Sequence, residues 1–175
     1  MLRALTTLTF VYVPREDRIM AAINAGLSDA WSCWLTRRLA LAVLERTAGY
    51  LASHSDLAQR APADLRQEAV EFEREAAIAK TQPSMSTTPS AVLQVGLATA
   101  ALAERLTISP QGQDFRLELR GLADDGAAAS FKRAELQRML QMLQIEVVKA
   151  DWIAAAPKPQ TSVTGAASAP KPARH

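Results

Sequence analysis

The chain is poor in the residues on which side-chain chemistry most often relies. It has one cysteine, Cys33, and two histidines, His54 and His175. A lone cysteine excludes an internal disulfide, and its place between Trp31 and Trp34 in an extended run favours a buried, inert thiol. Nucleophilic catalysis needs an activating base. His54 follows a helical pattern whose C-terminal dipole it suits, and His175 ends a polar tail, so neither is assigned as catalytic. The seven glycines never fall into a phosphate-cradling GxGxxG or GxxxxGK[ST] pattern, so no nucleotide cofactor is implied. No set of His, Cys and carboxylate has metal-ligand spacing: Asp124-Asp125-Gly126 reads as a turn, and Glu68, Glu71 and Glu75 read as a solvated helical face. No catalytic residue, cofactor, metal or small-molecule substrate is therefore assigned.

Long apolar runs are also missing. Nowhere do about 18 uninterrupted apolar residues occur, so no transmembrane helix is expected. The N-terminal run from Ala4 to Val13 is diluted by three threonines and followed directly by Pro14-Arg15-Glu16-Asp17, which reads as a strand and a turn rather than a signal peptide. The expected compartment is the cytoplasm, which the single cysteine fits.

What is present is enough apolar residue for one core: 49% hydrophobic against 22% charged over 175 residues. The formal charge of +2 misleads about the folded part. Three of the 20 cations, Lys158, Lys171 and Arg174, lie beyond Ile153 with no acid among them, leaving 17 cations against 18 acids in residues 1–153. A near-neutral body argues against bulk attraction to phosphate.

Along the chain, Leu5 to Val13 and Arg18 to Ala25 form a hairpin pattern, and Ala30 to Leu35 is a third strand in which Trp31, Cys33 and Leu35 alternate with Ser32 and Trp34. Thr36 is a natural N-cap for a helix to about Ser53, whose Leu39 to Leu44 stretch is apolar on nearly every side and suggests a central buried helix. Pro62 opens a second helix, with Leu65, Ala69, Phe72 and Ala76 as its apolar stripe. The polar stretch 81–90 reads as a linker, and Val92 to Leu97 is assigned to a strand. Arg105 to Ile108 and Phe115 to Arg120 flank a turn, a short strand ends at Phe131, and a closing helix runs from about Lys132 to Val148. Residues 154–175, rich in Ala, Pro and Lys, are expected to be disordered.

The fold class that follows is α+β: two strands-then-helix units, residues 1–80 and 91–153, forming an antiparallel sheet with helices packed on it in a single domain, 1–153. Aligning Thr36 with Lys132 sets Ala40 on Leu136, Val43 on Met139 and Leu44 on Leu140, a pattern that suggests internal duplication.

Two groups of residues are candidates for contact. Trp34 and Trp152 are candidate interface residues, with Trp31 assigned to the core, because a strand with a tryptophan on each face cannot bury both against a one-sided core. Arg15, Arg18, Arg37, Arg38, Lys132 and Arg133 are a candidate patch for an anion or nucleic acid. Cations at a helix start oppose its dipole unless carboxylates offset them, and Asp17, Asp29 and Glu135 are the carboxylates at hand.

The run Trp34 to Leu44, after Tyr12 to Ile19 and together with Phe131-Lys132-Arg133-Ala134-Glu135-Leu136, resembles an uncharacterised family of short hypothetical proteobacterial proteins. The resemblance implies a bacterial, cytoplasmic origin and carries no activity. The resulting expectation is a non-enzymatic interaction or accessory protein that binds a protein partner or itself. The alternative is a nucleic-acid-binding accessory protein whose arginine pairs contact phosphate.

Overall fold

The computed structural model describes residues 1–80, 100–122 and 125–153. The stretch 81–90 read as a linker, the strand assigned to Val92 to Leu97 and the tail 154–175 all lie outside these described residues. The described residues form an α+β fold built on one seven-stranded sheet. In chain order the strands are β1 (Leu2–Ala4), β2 (Leu8–Val13), β3 (Arg18–Ile23), β4 (Trp31–Leu35), β5 (Ala101–Gln111), β6 (Asp114–Gly121) and β7 (Gly126–Phe131). The helices are α1 (Arg37–Ser53), α2 (Asp56–Arg60), α3 (Arg66–Lys80) and α4 (Arg133–Lys149).

The spatial order is β1-β7-β6-β5-β4-β3-β2. Strands β2 to β4 and β5 to β7 are two antiparallel meanders, each leading into a helix. The sheet is mixed rather than wholly antiparallel, because β4 meets β5 and β1 meets β7 in parallel. Both parallel contacts are short: β4 and β5 share only Cys33↔Ala101 and Trp34↔Leu102.

The strand expected over Leu5 to Val13 begins only at Leu8, a separate β1 precedes it at Leu2–Ala4, and the break between them curls the sheet. β1 lies on one edge of the sheet and β2 on the other, yet only Leu5, Thr6 and Thr7 join them. Four Cα steps reach about 14 Å, whereas six strand spacings in a flat sheet would separate the edges by about 29 Å. The edges must therefore approach each other, and Asn24 ties them together. Asn24 is fully buried with φ +51°, in the left-handed region that asparagine tolerates better than most residues. Its Oδ1 accepts from the Thr6 and Thr7 amides (2.9 and 3.2 Å) and from the Thr6 hydroxyl (2.7 Å). Its Nδ2 donates to the Ala4 carbonyl (2.7 Å) and to Asp29 Oδ2 (2.8 Å).

The inside of the curl holds α1 and α4. Period-two alternation sends Ile19, Ala21, Ile23, Cys33, Leu35, Phe115, Leu117 and Leu119 inward against Ala40 and Val43 of α1 and Leu136, Met139, Leu140, Leu143 and Val147 of α4. Of the positions that the helix alignment paired, Ala40 with Leu136 and Val43 with Met139 are buried in both helices, whereas Leu44 is half-buried and Leu140 buried. Thr36 caps α1 as expected, its Oγ1 accepting from the Leu39 amide (3.2 Å).

Two helix readings need correction. α1 is a half-buried wall rather than a central helix: Leu39, Leu41, Ala42 and Leu44 all keep partial exposure, and the side carrying Leu39 and Ala42 opens on a groove. The second helix begins at Arg66, after a short α2 that the sequence reading missed, and its apolar stripe is only partly covered: Ala69 and Ala76 are half-buried, whereas Leu65 is 44% and Phe72 67% exposed. Glu73 turns in toward α4 to meet Arg133.

Candidate functional site

The sites read from the sequence fall in different places. On β4, Trp31 packs on the main core and Trp34 lies on the opposite face with Met20 and Ala22, as the alternation requires. Val11, Val13, Ala25, Ala100 and Leu102 complete that second cluster, and Trp34 is only 9% exposed. Trp152, the other candidate interface residue, is 5% exposed in the main core. Its indole N–H donates to Asp17 (3.2 Å), its ring meets Tyr12 edge-on at 6.0 Å, and its carbonyl accepts from Arg37 (3.3 Å). Neither tryptophan presents a free ring to a partner in this conformation.

The basic residues fall in two places: the Ile19↔Leu35 pairing brings Arg15 and Arg18 to the same end of the sheet as Arg37 and Arg38, whereas Arg133 bonds the far end of α1. Arg15 and Arg18 are exposed around the β2–β3 turn, and Arg38 and Lys132 are exposed at helix starts. Arg133 is turned inward. Its Nε donates to Glu73 Oε1 (2.5 Å), Nη1 to the His54 carbonyl (3.2 Å) and Nη2 to the Leu51 carbonyl. The other Glu73 oxygen accepts from Ser55, a fully buried hydroxyl that also caps α2 through the Ala58 amide (3.1 Å). One guanidinium thus satisfies two carbonyls at the end of α1 and pins α3 to α4. The sequence reading named Asp17, Asp29 and Glu135 as counter-charges, but they serve other groups. Glu135 accepts from the Lys132 amide (2.8 Å), Asp29 holds Asn24, and Asp17 holds Tyr12 and Trp152. Glu73 was missed because a partner 60 residues away leaves no local signal.

Cys33 is fully buried, and burial pushes its thiol up from an ordinary 9.0 to about 12. His54 is exposed, stacked on Tyr50 with ring centres 4.2 Å apart, and hydrogen bonded to Ser53 and the Tyr50 carbonyl. Among the described residues no group of three or more His, Cys, Asp or Glu converges to hold a metal ion. We expect Cys33 to resist a thiol reagent at pH 8 until the chain unfolds, which a labelling series against urea will measure. The sign of its pH effect follows from the raised value. The contribution is intact below pH 9 and is lost at about 1.4 kcal/mol per pH unit between pH 9 and 12, where only the unfolded thiol has ionised.

The feature that the sequence reading did not find is a groove of about 490 Å³ between α1 and β5. β4 ends at Leu35 and the chain turns up into α1, so β5 runs on past Leu102 with no strand beside it on that side among the described residues. Leu39, Val43 and Tyr50 form one wall, Leu106 and Ile108 the other, and Arg46 and Arg105 also line the groove. Both arginines are exposed, and neither has a hydrogen bond or ion pair among the described residues. On the outer face of β6, by contrast, Arg116 and Arg120 clamp Glu118 (2.9 and 3.3 Å) and hold its carboxyl below its usual range.

No family model, curated protein or solved structure matches the chain. Among the described residues, no helix is long and apolar enough to cross a membrane.

Proposed function

We propose that this is a non-enzymatic interaction protein that binds a protein partner through the groove between α1 and β5. The observation that carries this reading is the groove itself, where apolar side chains from two elements meet two unpaired arginines at the surface. Concave, mostly apolar surfaces with a few charged groups at their margin are the usual form of a recognition site. The alternative of nucleic-acid binding through the arginine pairs has weaker support. Arg133 is committed to Glu73 and to the end of α1, and Arg37 bonds the Trp152 carbonyl, which leaves Arg15, Arg18 and Arg38 as the unbonded arginines of the set, fewer than phosphate tracking along a groove needs.

The test is a photo-crosslinking residue at Thr107 in the groove of the full chain, with Glu71 on the exposed side of α3 as control. A discrete protein adduct from Thr107 and none from Glu71 is expected. Adducts that nuclease abolishes, or equal adducts from both positions, would contradict the reading.

A further inference from the structure

We propose that the groove receives an extended, acidic and apolar segment of another protein, added as a strand along the open edge of β5. This rests on the interaction reading above and specifies its chemistry.

The direction of the β5 backbone groups follows from its turn. Gln111 and Asp114 pair across a two-residue loop, Gly112-Gln113, in which Gly112 has φ +65° and Gln113 is not at positive φ. This is the glycine-first pattern of a type II′ hairpin, which makes Gln111 and Asp114 a mutually hydrogen-bonded pair. Alternation then makes Ser109↔Arg116, Thr107↔Glu118 and Arg105↔Arg120 the bonded pairs with β6. Leu106 and Ile108 therefore aim their N–H and C=O groups away from β6 and into the groove. Pro110 fits this phase, since a proline within a strand must sit where no ladder donor is needed. Among the described residues no turn, loop or cap bond reaches the Leu106 or Ile108 amide either.

The other long edge is treated differently. On β2 the Tyr12 amide donates to Glu146 Oε2 of α4 (2.8 Å), and that carboxylate is itself paired with Lys149 (2.5 Å). Among the described residues one long edge is thus capped and the other bare, which marks the bare one as the place where a strand can be added.

Charge selects the occupant. Arg46 and Arg105 call for an acid, whereas a second copy pairing through its own β5 would bring two more arginines to the same seam. Residues 81–99 and 154–175 of this chain carry no Asp or Glu, so neither segment offers the complementary side chain. The occupant is then a partner segment that alternates apolar residues, which meet Leu39, Val43, Leu106 and Ile108, with Glu or Asp.

The experiment uses the full chain and short capped peptides, read by fluorescence anisotropy. A peptide alternating Val and Glu is expected to bind at least about tenfold more tightly than one alternating Val and Lys, and the double variant R46E/R105E should reverse that order. A backbone N-methylated Val/Glu peptide and the variant Ile108→Pro should each lose about tenfold or more, because each removes main-chain bonds while leaving the charges in place. The methylated peptide needs no mutation, so it decides the point even where the proline variant misfolds. Equal binding of the Lys peptide or of the methylated peptide would overturn the proposal, as would a dimer whose β5 amides are protected without peptide. Failure of every peptide would overturn it too, and a surviving Thr107 adduct would then show that the interaction reading stands without it.

Discussion

Asn24→Ala is expected to lower stability by about 3 kcal/mol, read as a drop in urea midpoint at unchanged slope. The side chain is fully buried and makes five hydrogen bonds, to Thr6, Thr7, Ala4 and Asp29. Truncation removes the shared partner of two amides, a hydroxyl, a carbonyl and a carboxylate in the corner where the sheet turns back on itself, and it leaves a void at a fully buried position. The positive φ adds to the loss, because alanine is less tolerant of that region than asparagine. Asn24→Asp should do comparable harm by a different route: it replaces a donor 2.8 Å from Asp29 with a second carboxylate oxygen. An Asn24→Ala protein within 0.5 kcal/mol of wild type would show that the three-residue crossing does not depend on this tie.

Arg133→Met is expected to cost about 2 kcal/mol, less than a fully buried ion pair because both Arg133 and Glu73 side chains are 25% exposed. Methionine keeps most of the apolar volume, so the loss isolates the polar network: two α1 carbonyls lose a donor, and Glu73 keeps only Ser55. The effect should reach α3 first, since Glu73 is its inward-facing anchor. Limited proteolysis of Arg133→Met is expected to cut within α3 before the sheet. Arg38→Ala is the control, an exposed arginine in the neighbouring candidate position with no bonded partner, and it should stay within about 0.5 kcal/mol. Equal losses for Arg133 and Arg38 would mean that the inward network carries no stability.

Local signals in the sequence were read well, and signals set by distant contacts were not. The alternation of Trp31, Cys33 and Leu35 against Trp34 correctly assigned the two faces of β4, and Thr36 correctly marked the start of α1. Phe115 to Arg120 showed its strand period plainly and lies within β6. Three readings failed for identifiable reasons. Leu5 to Val13 looked continuous because nothing local tells that Thr6 and Thr7 bond Asn24 rather than a neighbouring strand. The apolar stripe of α3 is only half covered, with Phe72 exposed, while Glu73 turns inward to an ion pair with a residue 60 positions away that leaves no local signal. Ser109 to Asp114 looked like one long turn because it contains Pro110 and Gly112. In the structure only Gly112 and Gln113 turn, and Pro110 sits inside β5 where its missing N–H costs no ladder bond.

The groove was invisible for a related reason. It exists because β4 is shorter than β5 and touches it at only two positions, a fact of pairing lengths that neither strand states alone. Arg46 and Arg105 were not among the six basic residues singled out, since neither lies at the first hairpin turn or at a helix start. A tryptophan reading based on hot-spot frequency pointed instead to Trp34 and Trp152, which this fold buries at 9% and 5% exposure. The one available cue lay in β5 itself, where Leu106 and Ile108 alternate with polar residues ahead of a proline.

The account turns on an open β5 edge, and residue-resolved amide exchange on the free full-length protein tests it directly. The Leu106 and Ile108 amides should exchange about a hundredfold faster, or more, than those of Thr107 and Ser109, which bond to β6. Uniform protection from Arg105 to Ser109 would mean that the edge is already covered, and the proposed site would have no free strand to offer.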